Sequence, residues 1–458
     1  MAATGPTATL QLRFDRGTIL LEGDRAAIAS LDCAVWDPRV DSCRAPAFRY
    51  PAILRAARVQ GWALVDPIRP APVDGGAFRP LGLRPYQEAA VEAWEQSAGR
   101  GLVVRPTGAG KTRVALAAIA RCGTATLILV PTIALLDQWC AQLSAATSAS
   151  IGRLGDGIRR VEALTVATYE SAYRQMGQIG DRFGLLVVDE AHHFGARQRD
   201  EVLEMAVAER RLGLTATPPE APEHRAAIER LIGPLVYERG LLELAGSHLA
   251  PLSRVRVLVD LEAEERLRYR SSYEVFLDFQ RAARLQHPHA KWQDLVRIGG
   301  RSVAGRRALS AFREVRRIVA YPRAKARQVG RLLGQHPASR ALVFCADNQA
   351  AYAIAKDHLI MPITCDIGRV ERQQVFQRFA AGELRALVSA RVLNEGIDLP
   401  EADLAIVVSG AFGAREHVQR IGRVLRPQPG KEALLYELVC RGTVETTWAA
   451  RRSRGLHS

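Results

Sequence analysis

Val103-Val104-Arg105-Pro106-Thr107-Gly108-Ala109-Gly110-Lys111-Thr112 decides the fold. An apolar run enters a glycine-bearing loop, and a Lys-Thr pair opens a helical stretch over residues 114–120. Such a loop turns successive backbone N–H groups toward an anion, and the helix N-terminus adds partial positive charge. In this reading Thr107, Gly108, Ala109 and Gly110 cradle phosphates, Lys111 reaches the β- and γ-phosphates, and the Thr112 hydroxyl ligates Mg²⁺. The strict eight-residue pattern takes glycine where Arg105 stands, and a plain turn before a core helix is the competing reading.

Outward from this loop, apolar segments at 102–104, 126–130, 164–166, 185–188 and 212–214 alternate with helical stretches. That alternation predicts a parallel sheet flanked by helices. Each segment runs into a polar cluster, as expected where ligands bind at strand carboxyl ends. A second series begins near 322, with strands expected at 341–344, 386–389 and 404–408. The expected fold is therefore α/β: two tandem parallel-sheet domains at 86–250 and 322–458. A charged helical insert at 260–320 separates them, and a small α+β unit at 1–65 precedes them. Residues 66–85 carry five prolines and three glycines, a linker composition.

The segment Leu185-Leu186-Val187-Val188-Asp189-Glu190-Ala191-His192-His193 ends an apolar strand in adjacent carboxylates. At the sheet edge beside the phosphate loop, Asp189 would hold Mg²⁺ through water, and Glu190 would orient and deprotonate an attacking water. A helix cap is the plainer use of such a pair. His192 and His193 have no third ligand at metal-binding spacing.

The chain has 458 residues and a formal net charge of +15, carried almost wholly by arginine. Arginine binds phosphate in a bidentate fork, so the balance suits a polyanionic partner. Seven scattered cysteines with no Cys-x-x-Cys pair argue against a structural zinc, an iron–sulfur cluster or a disulfide framework. No apolar run approaches the roughly 20 residues of a membrane span, and the N-terminus lacks a signal-peptide pattern. A cytoplasmic, nucleoid-associated protein with no membrane partner is the expectation.

Asp189-Glu190-Ala191-His192 is also a signature of superfamily 2 helicases, and other stretches resemble that group in order and spacing. Arg84-Pro85-Tyr86-Gln87 looks like its adenine-reading element, with Arg84 and Gln87 at the nucleotide. The stretch from Pro131-Thr132 to Trp139 and Thr165-Val166-Ala167-Thr168-Tyr169 resemble loops that contact a nucleic-acid strand. Leu214-Thr215-Ala216-Thr217-Pro218 resembles motif III. Leu393-Asn394-Glu395-Gly396-Ile397-Asp398-Leu399-Pro400 resembles motif V, which implies nucleotide contacts at Gly396 and Asp398. Gln419-Arg420-Ile421-Gly422-Arg423-Val424-Leu425-Arg426-Pro427 resembles motif VI, which implies that Arg423 and Arg426 are arginine fingers on the γ-phosphate.

The whole pattern is most similar to the compact archaeal and bacterial XPB helicases. That resemblance implies two RecA-like motor domains, an N-terminal damage-recognition-like domain and a thumb-like insert. It further implies ATP and Mg²⁺ as cofactors and 3′→5′ movement on single-stranded, forked or duplex DNA in repair or transcription. Compact members can pair with a separate nuclease. An Arg-Glu-Asp element linked to strand separation is replaced here by Pro219-Glu220-Ala221-Pro222-Glu223-His224-Arg225. Ala191 stands where valine is frequent, and Asn394 where aspartate is. The alternatives are a duplex translocase or restriction-type motor subunit without robust unwinding, and an ATP-gated DNA-binding module. In the insert, Arg297, Arg301, Arg306, Arg307, Arg313, Arg316 and Arg317 could track phosphates. Tyr269, Tyr273 and Phe276 fit a core stripe at least as well as a base-stacking surface.

Overall fold

A computed structural model describes residues 8–73, 78–106, 109–195, 199–219, 221–239, 252–290, 292–364, 366–390, 402–410 and 433–457. The chain forms two compact units, the first ending at Gly240 and the second taking up most of the remainder.

The first unit opens with a five-stranded sheet of β1 (Thr9–Asp15), β2 (Thr18–Gly23), β3 (Val35–Asp37), β4 (Ser42–Pro46) and β5 (Ala63–Val65), in the order β3-β4-β2-β1-β5. Asp15 pairs with Thr18, leaving a two-residue turn in which Arg16 (φ 48°) and Gly17 (φ 86°) are both left-handed. That turn matches the twist of the two strands it joins. Alternate residues Leu10, Leu12, Ile19 and Leu21 point to one face and pack on Ile53 of the helix Tyr50–Gln60. The same cluster takes in Val207. A Cβ at Gly17 would lie 2.3 Å from Met205 Cγ, so the turn abuts the larger domain closely.

That larger domain holds an eight-stranded sheet: β6 (Arg100–Val104), β7 (Thr126–Val130), β8 (Ile151–Gly155), β9 (Ile158–Arg160), β10 (Leu164–Thr168), β11 (Leu185–Asp189), β12 (Arg210–Thr215) and β13 (Leu235–Glu238). The order is β13-β6-β12-β11-β7-β10-β8-β9, parallel except for the β8–β9 hairpin. The five central strands fall where the apolar runs predict them. They are apolar on both faces because helices cover both, giving one core around Trp94, Val114 and Trp139 and another around Tyr169, Phe183 and Phe194. Described parts of the stretch with linker composition are anchored to the domain. Ile68 and Val73 are buried, Val73 N–H donates to the Gly123 carbonyl at 2.9 Å, and bridges join Pro72 to Thr124 and Phe78 to Thr147.

The second unit contains a six-stranded parallel sheet of β14 (Leu252–Val259), β15 (Ala341–Phe344), β16 (Met361–Ile363), β17 (Ala386–Ser389), β18 (Leu404–Val407) and β19 (Ala433–Cys440), ordered β14-β19-β18-β15-β17-β16. Its edge strand β14 precedes the helical insert, in a stretch that the sequence pattern leaves unassigned. Arg254 and Arg256 interrupt its apolar character, and both reach the fully buried Glu437 of β19, at 2.9 and 3.1 Å. The insert consists of the helices Ala263–Gln286, Trp292–Gly300 and Val303–Ala320. Beneath it, Lys325 and Glu445 form a wholly buried ion pair. The Lys325 ammonium also donates to the carbonyls of Val319 (2.8 Å) and Val408 (2.6 Å). No helix among the described residues is long and apolar enough to cross a membrane.

Candidate active site

Strand order gathers the chemistry at one edge of the eight-stranded sheet. β6, β12, β11, β7 and β10 lie side by side, and their carboxyl ends lead respectively to the phosphate loop, Thr217, Glu190, Thr132 and Tyr169. Gly110 closes the described part of the phosphate loop in the left-handed region (φ 74°) and serves as N-cap of the helix Lys111–Cys122. Lys111 and Thr112 thus occupy the helix's first turn, where backbone N–H groups are free for an anion. A Cβ at Gly110 would lie 2.3 Å from Gln87 Nε2, so only glycine allows this approach. Thr107 and Gly108 lie outside the described residues, as do Gly396, Asp398, Arg423 and Arg426.

Gln87 is buried and braces this loop. Its amide nitrogen donates to the Ala109 carbonyl at 3.4 Å, and its amide oxygen accepts the Arg84 N–H at 3.0 Å. Arg84 itself is exposed, with a guanidinium nitrogen 3.4 Å from the Tyr86 hydroxyl. Arg105 is fully buried with its guanidinium 4.0 Å above the Tyr86 ring, and among the described residues none of its three nitrogens has a hydrogen-bond acceptor. Burial holds its pKa below that of an ordinary arginine. Arg211 is just as buried but gives its N–H groups to the carbonyls of Leu203, Ala206, Ala208 and Leu231, at 2.7–3.1 Å. Arg211 thus spreads its charge over carbonyls, whereas Arg105 rests on the face of the Tyr86 ring.

The acid pair stands where the sequence places it. Asp189 Oδ2 accepts the Trp139 indole N–H at 2.9 Å, and Oδ1 accepts the Glu190 N–H at 3.0 Å. Burial, together with the neighbouring Glu190 charge, pushes the Asp189 carboxyl up to about 6, against the pull of Lys111. Glu190 adopts a left-handed conformation (φ 53°) that few non-glycine residues take, which turns its side chain back toward Lys111. Lys111 Nζ lies 3.7 Å from Glu190 Oε1. His192 Nδ1 sits 3.4 Å from Glu190 Oε2 and 3.0 Å from Thr215 Oγ1, tying the acid to the end of β12. The Tyr169 hydroxyl donates to the backbone carbonyls of Asp189 and Glu190.

Among the described residues, the buried Lys111 Nζ, Glu190 Oε2 and Thr217 Oγ1 at this edge have no hydrogen-bond partner. A cation, an anion and a hydroxyl left unsatisfied together are costly unless a polar ligand completes them. A polyphosphate on Lys111, a divalent ion near Asp189 and Thr112, and a water on Glu190 match that donor set. ATP and Mg²⁺ therefore fit the residues present.

The two candidate strand-contacting loops are partly occupied locally. Thr132 caps the helix Ile133–Ala146 by accepting the Leu135 N–H, and Thr168 caps Tyr169–Ile179 by accepting the Ser171 N–H. Sequence reading missed the hydrogen bonds of Trp139 and Tyr169 to the acid pair. Nothing in local spacing announces them, because they join residues 50 and 20 positions apart.

Three family models match along the chain. Residues 12–68 match the family model for the Xeroderma pigmentosum group B helicase damage recognition domain. Residues 80–220 match that for the res subunit of type III restriction enzymes, and 324–428 the helicase conserved C-terminal domain. The DNA 3′-5′ translocase XPB2 of Sulfurisphaera tokodaii is 37% identical over 374 residues, which cover 81% of this chain and 84% of that protein. The DNA 3′-5′ helicase XPB of Mycobacterium tuberculosis is 31% identical over 388 residues, 82% of this chain but 63% of its own length. Among solved structures, the Pyrococcus furiosus Hef helicase domain aligns with a TM-score of 0.56 at 18% identity. The alignment covers 83% of this chain and 99% of that one, a likeness of fold.

Proposed function

The chain belongs to the XPB family of superfamily 2 helicases, and on that premise we propose that it is an ATP-driven DNA translocase moving 3′→5′. The observation that carries this reading is the meeting of Lys111, Asp189 and Glu190 at one sheet edge, with Lys111 Nζ and Glu190 Oε2 buried and, among the described residues, without a hydrogen-bond partner. A motor that turns over needs a hydrolytic carboxylate beside its phosphate site, whereas an ATP-gated clamp does not.

In this reading Lys111 neutralises the β- and γ-phosphates, and the helix N-terminus at Lys111–Thr112 adds N–H donors. Mg²⁺, when bound, supplies Lewis-acid polarisation of the phosphoryl oxygens. Asp189, fixed by Trp139, would hold the ion, with Thr112 offering its hydroxyl. Glu190, set by its left-handed backbone, orients the attacking water and takes its proton. Gln87 keeps the loop in shape from behind, with Arg84 at the adenine side. Thr107, Gly108, Gly396 and Asp398 are assigned to nucleotide contact, and Arg423 and Arg426 to the finger role, on family resemblance. Residues 1–65 are read as the damage-recognition-like domain, 86–250 and 322–458 as the motor domains, and 260–320 as the thumb-like insert. DNA is the partner in its single-stranded, forked or duplex form, inside the cell, with a separate nuclease as a further candidate.

A second reading, translocation on duplex without robust unwinding, is favoured by the segment after motif III. There Pro222 opens the helix Pro222–Leu231, the His224 ring bonds back to the Phe194 carbonyl, and Arg225 donates to the Pro219 carbonyl at 3.3 Å. Residues 221–225 are thus held on their own domain instead of forming a free Arg-Glu-Asp wedge.

ATPase rate measured with single-stranded, duplex and forked DNA and with RNA tests the proposal, with Glu190→Gln and Lys111→Ala beside the wild type. Strong DNA stimulation lost in both variants is the expected result. Stimulation by RNA alone, or turnover that survives Glu190→Gln, refutes it. A fork-opening assay then separates the two readings.

A further inference from the structure

The helical insert of the second unit carries a cavity of about 530 Å³ outside the nucleotide site. Its wall includes Tyr273, Phe276, Trp292, Phe312 and Trp448, with Gln280, Arg284, Thr443 and Thr447 supplying polar atoms. The aromatic rings do not all serve the core. Tyr269 and Phe276 are buried, and the Tyr269 hydroxyl accepts the Val444 N–H at 2.9 Å, so these two are structural. Trp292 differs: it is 46% exposed although its ring lies 5.1 Å from Phe312 and 6.1 Å from Phe276. A large indole left half in solvent beside a concave aromatic wall offers an open face on which a planar group can stack.

The charge around this wall selects the guest. Residues 263–320 hold thirteen basic and six acidic side chains. Three of the acids, Asp278, Asp294 and Glu314, are matched with Arg281, Arg297, Arg268 and Arg317 in ion pairs. Among the described residues Arg270, Arg284, Arg301, Arg307, Arg313 and Arg316 have no carboxylate partner. Arg284 lines the cavity, and Arg313 and Arg316 sit on the helix that contributes Phe312. An apolar peptide would leave these guanidinium groups without anions, and a duplex keeps its bases stacked inside. A strand that offers both phosphates and free aromatic faces satisfies both features.

We propose that this cavity is a subsite for an unpaired nucleobase of single-stranded DNA. The base stacks on Trp292, its polar edge meets Gln280, and the flanking phosphates lie toward Arg284. The proposal rests on the reading of DNA as the partner and adds a base-dependent contact to it.

The test uses the full chain and two labelled oligomers of equal length and charge, an oligothymidine and its abasic counterpart, with affinity read by fluorescence anisotropy. Wild type is expected to bind the oligothymidine about ten-fold more tightly, within the range for one stacked base. Trp292→Ala should bring the two affinities within two-fold, Trp292→Phe should keep most of the difference, and Arg284→Gln should weaken both oligomers alike. Far-UV circular dichroism and melting confirm that each variant is folded. Equal binding of both oligomers by wild type, or an undiminished difference in Trp292→Ala, overturns the subsite while leaving DNA binding intact. Failure of wild type to bind either oligomer would overturn the DNA reading as well.

Discussion

Trp139→Phe isolates one hydrogen bond and asks whether it positions the acid pair. The indole N–H reaches Asp189 Oδ2 at 2.9 Å, with Trp139 1% and Asp189 6% exposed, so water cannot readily replace the lost donor. A hydrogen bond to a charged, buried acceptor is worth about 1.5–3 kcal/mol. At 1.36 kcal/mol per ten-fold, that is roughly a 10- to 150-fold loss in kcat/KM for Mg-ATP, with a higher half-saturating Mg²⁺ concentration. Phenylalanine keeps the six-membered ring, so the cavity penalty should stay near ~1–2 kcal/mol and move the melting point by only a few degrees. The decisive assay is a double-mutant cycle with Asp189→Ala, read as Mg²⁺-dependent affinity for a fluorescent ATP analogue. In the Asp189→Ala background, where no carboxylate remains, Trp139→Phe should cost less than three-fold. A single variant within two-fold of wild type, or the same loss in both backgrounds, would refute the positioning role.

Three other outcomes follow from the packing. Gly110→Ala must hold alanine at φ 74° and drive its Cβ against Gln87 Nε2, so nucleotide affinity should fall about ten-fold or more through strain of about 1–2 kcal/mol. Gly123→Ala, at φ 57° with its Cβ 3.5 Å from the Val73 carbonyl, should lower stability alone; equal affinity loss in both variants would sink this account. Lys325→Met strands the buried Glu445 and should cost the second unit about 3–5 kcal/mol, seen by calorimetry. Adding Glu445→Leu should recover at least half of that, and a double variant no better than the single one would show that charge is not the cause. Asp37 is held far below the usual carboxylate range by Arg39 and then Arg44, so its stabilising effect is present above its unfolded pKa near 3.8 and fades as pH falls through the lower native value. Asp37→Asn should therefore lower stability of the N-terminal sheet at pH 7 and flatten its acid-side decline below about pH 4. Amide exchange in β1–β4 reads this, and an unchanged acid limb would count against it.

Much of the molecule is legible from residue pattern because its signals are local. The five central strands of the first large sheet are continuous apolar runs, since helices bury both faces. The phosphate loop and acid pair are contiguous segments whose chemistry requires those residue types. Where the pattern fell short, the stabilising partner lay far along the chain. β14 reads as too charged for a strand until Glu437, 183 residues from Arg254, neutralises it. The prolines of 66–85 suggest a free linker, yet their missing N–H groups do not stop Ile68 and Val73 from being buried.

What the sequence by itself determined was therefore the α/β class and the order of the motifs, and it nominated Lys111, Thr112, Asp189 and Glu190 as the residues proposed to handle the nucleotide. Only the tertiary structure decided how they are held. It set the Asp189 carboxyl under Trp139 and the carbonyls after it under Tyr169. It also buried the Arg105 guanidinium over the Tyr86 ring, and left Trp292 half exposed over a cavity instead of inside the core. Those facts depend on distances between residues remote in sequence, and burial fixes them because a hydrogen bond or a charge gains its weight only where water is excluded.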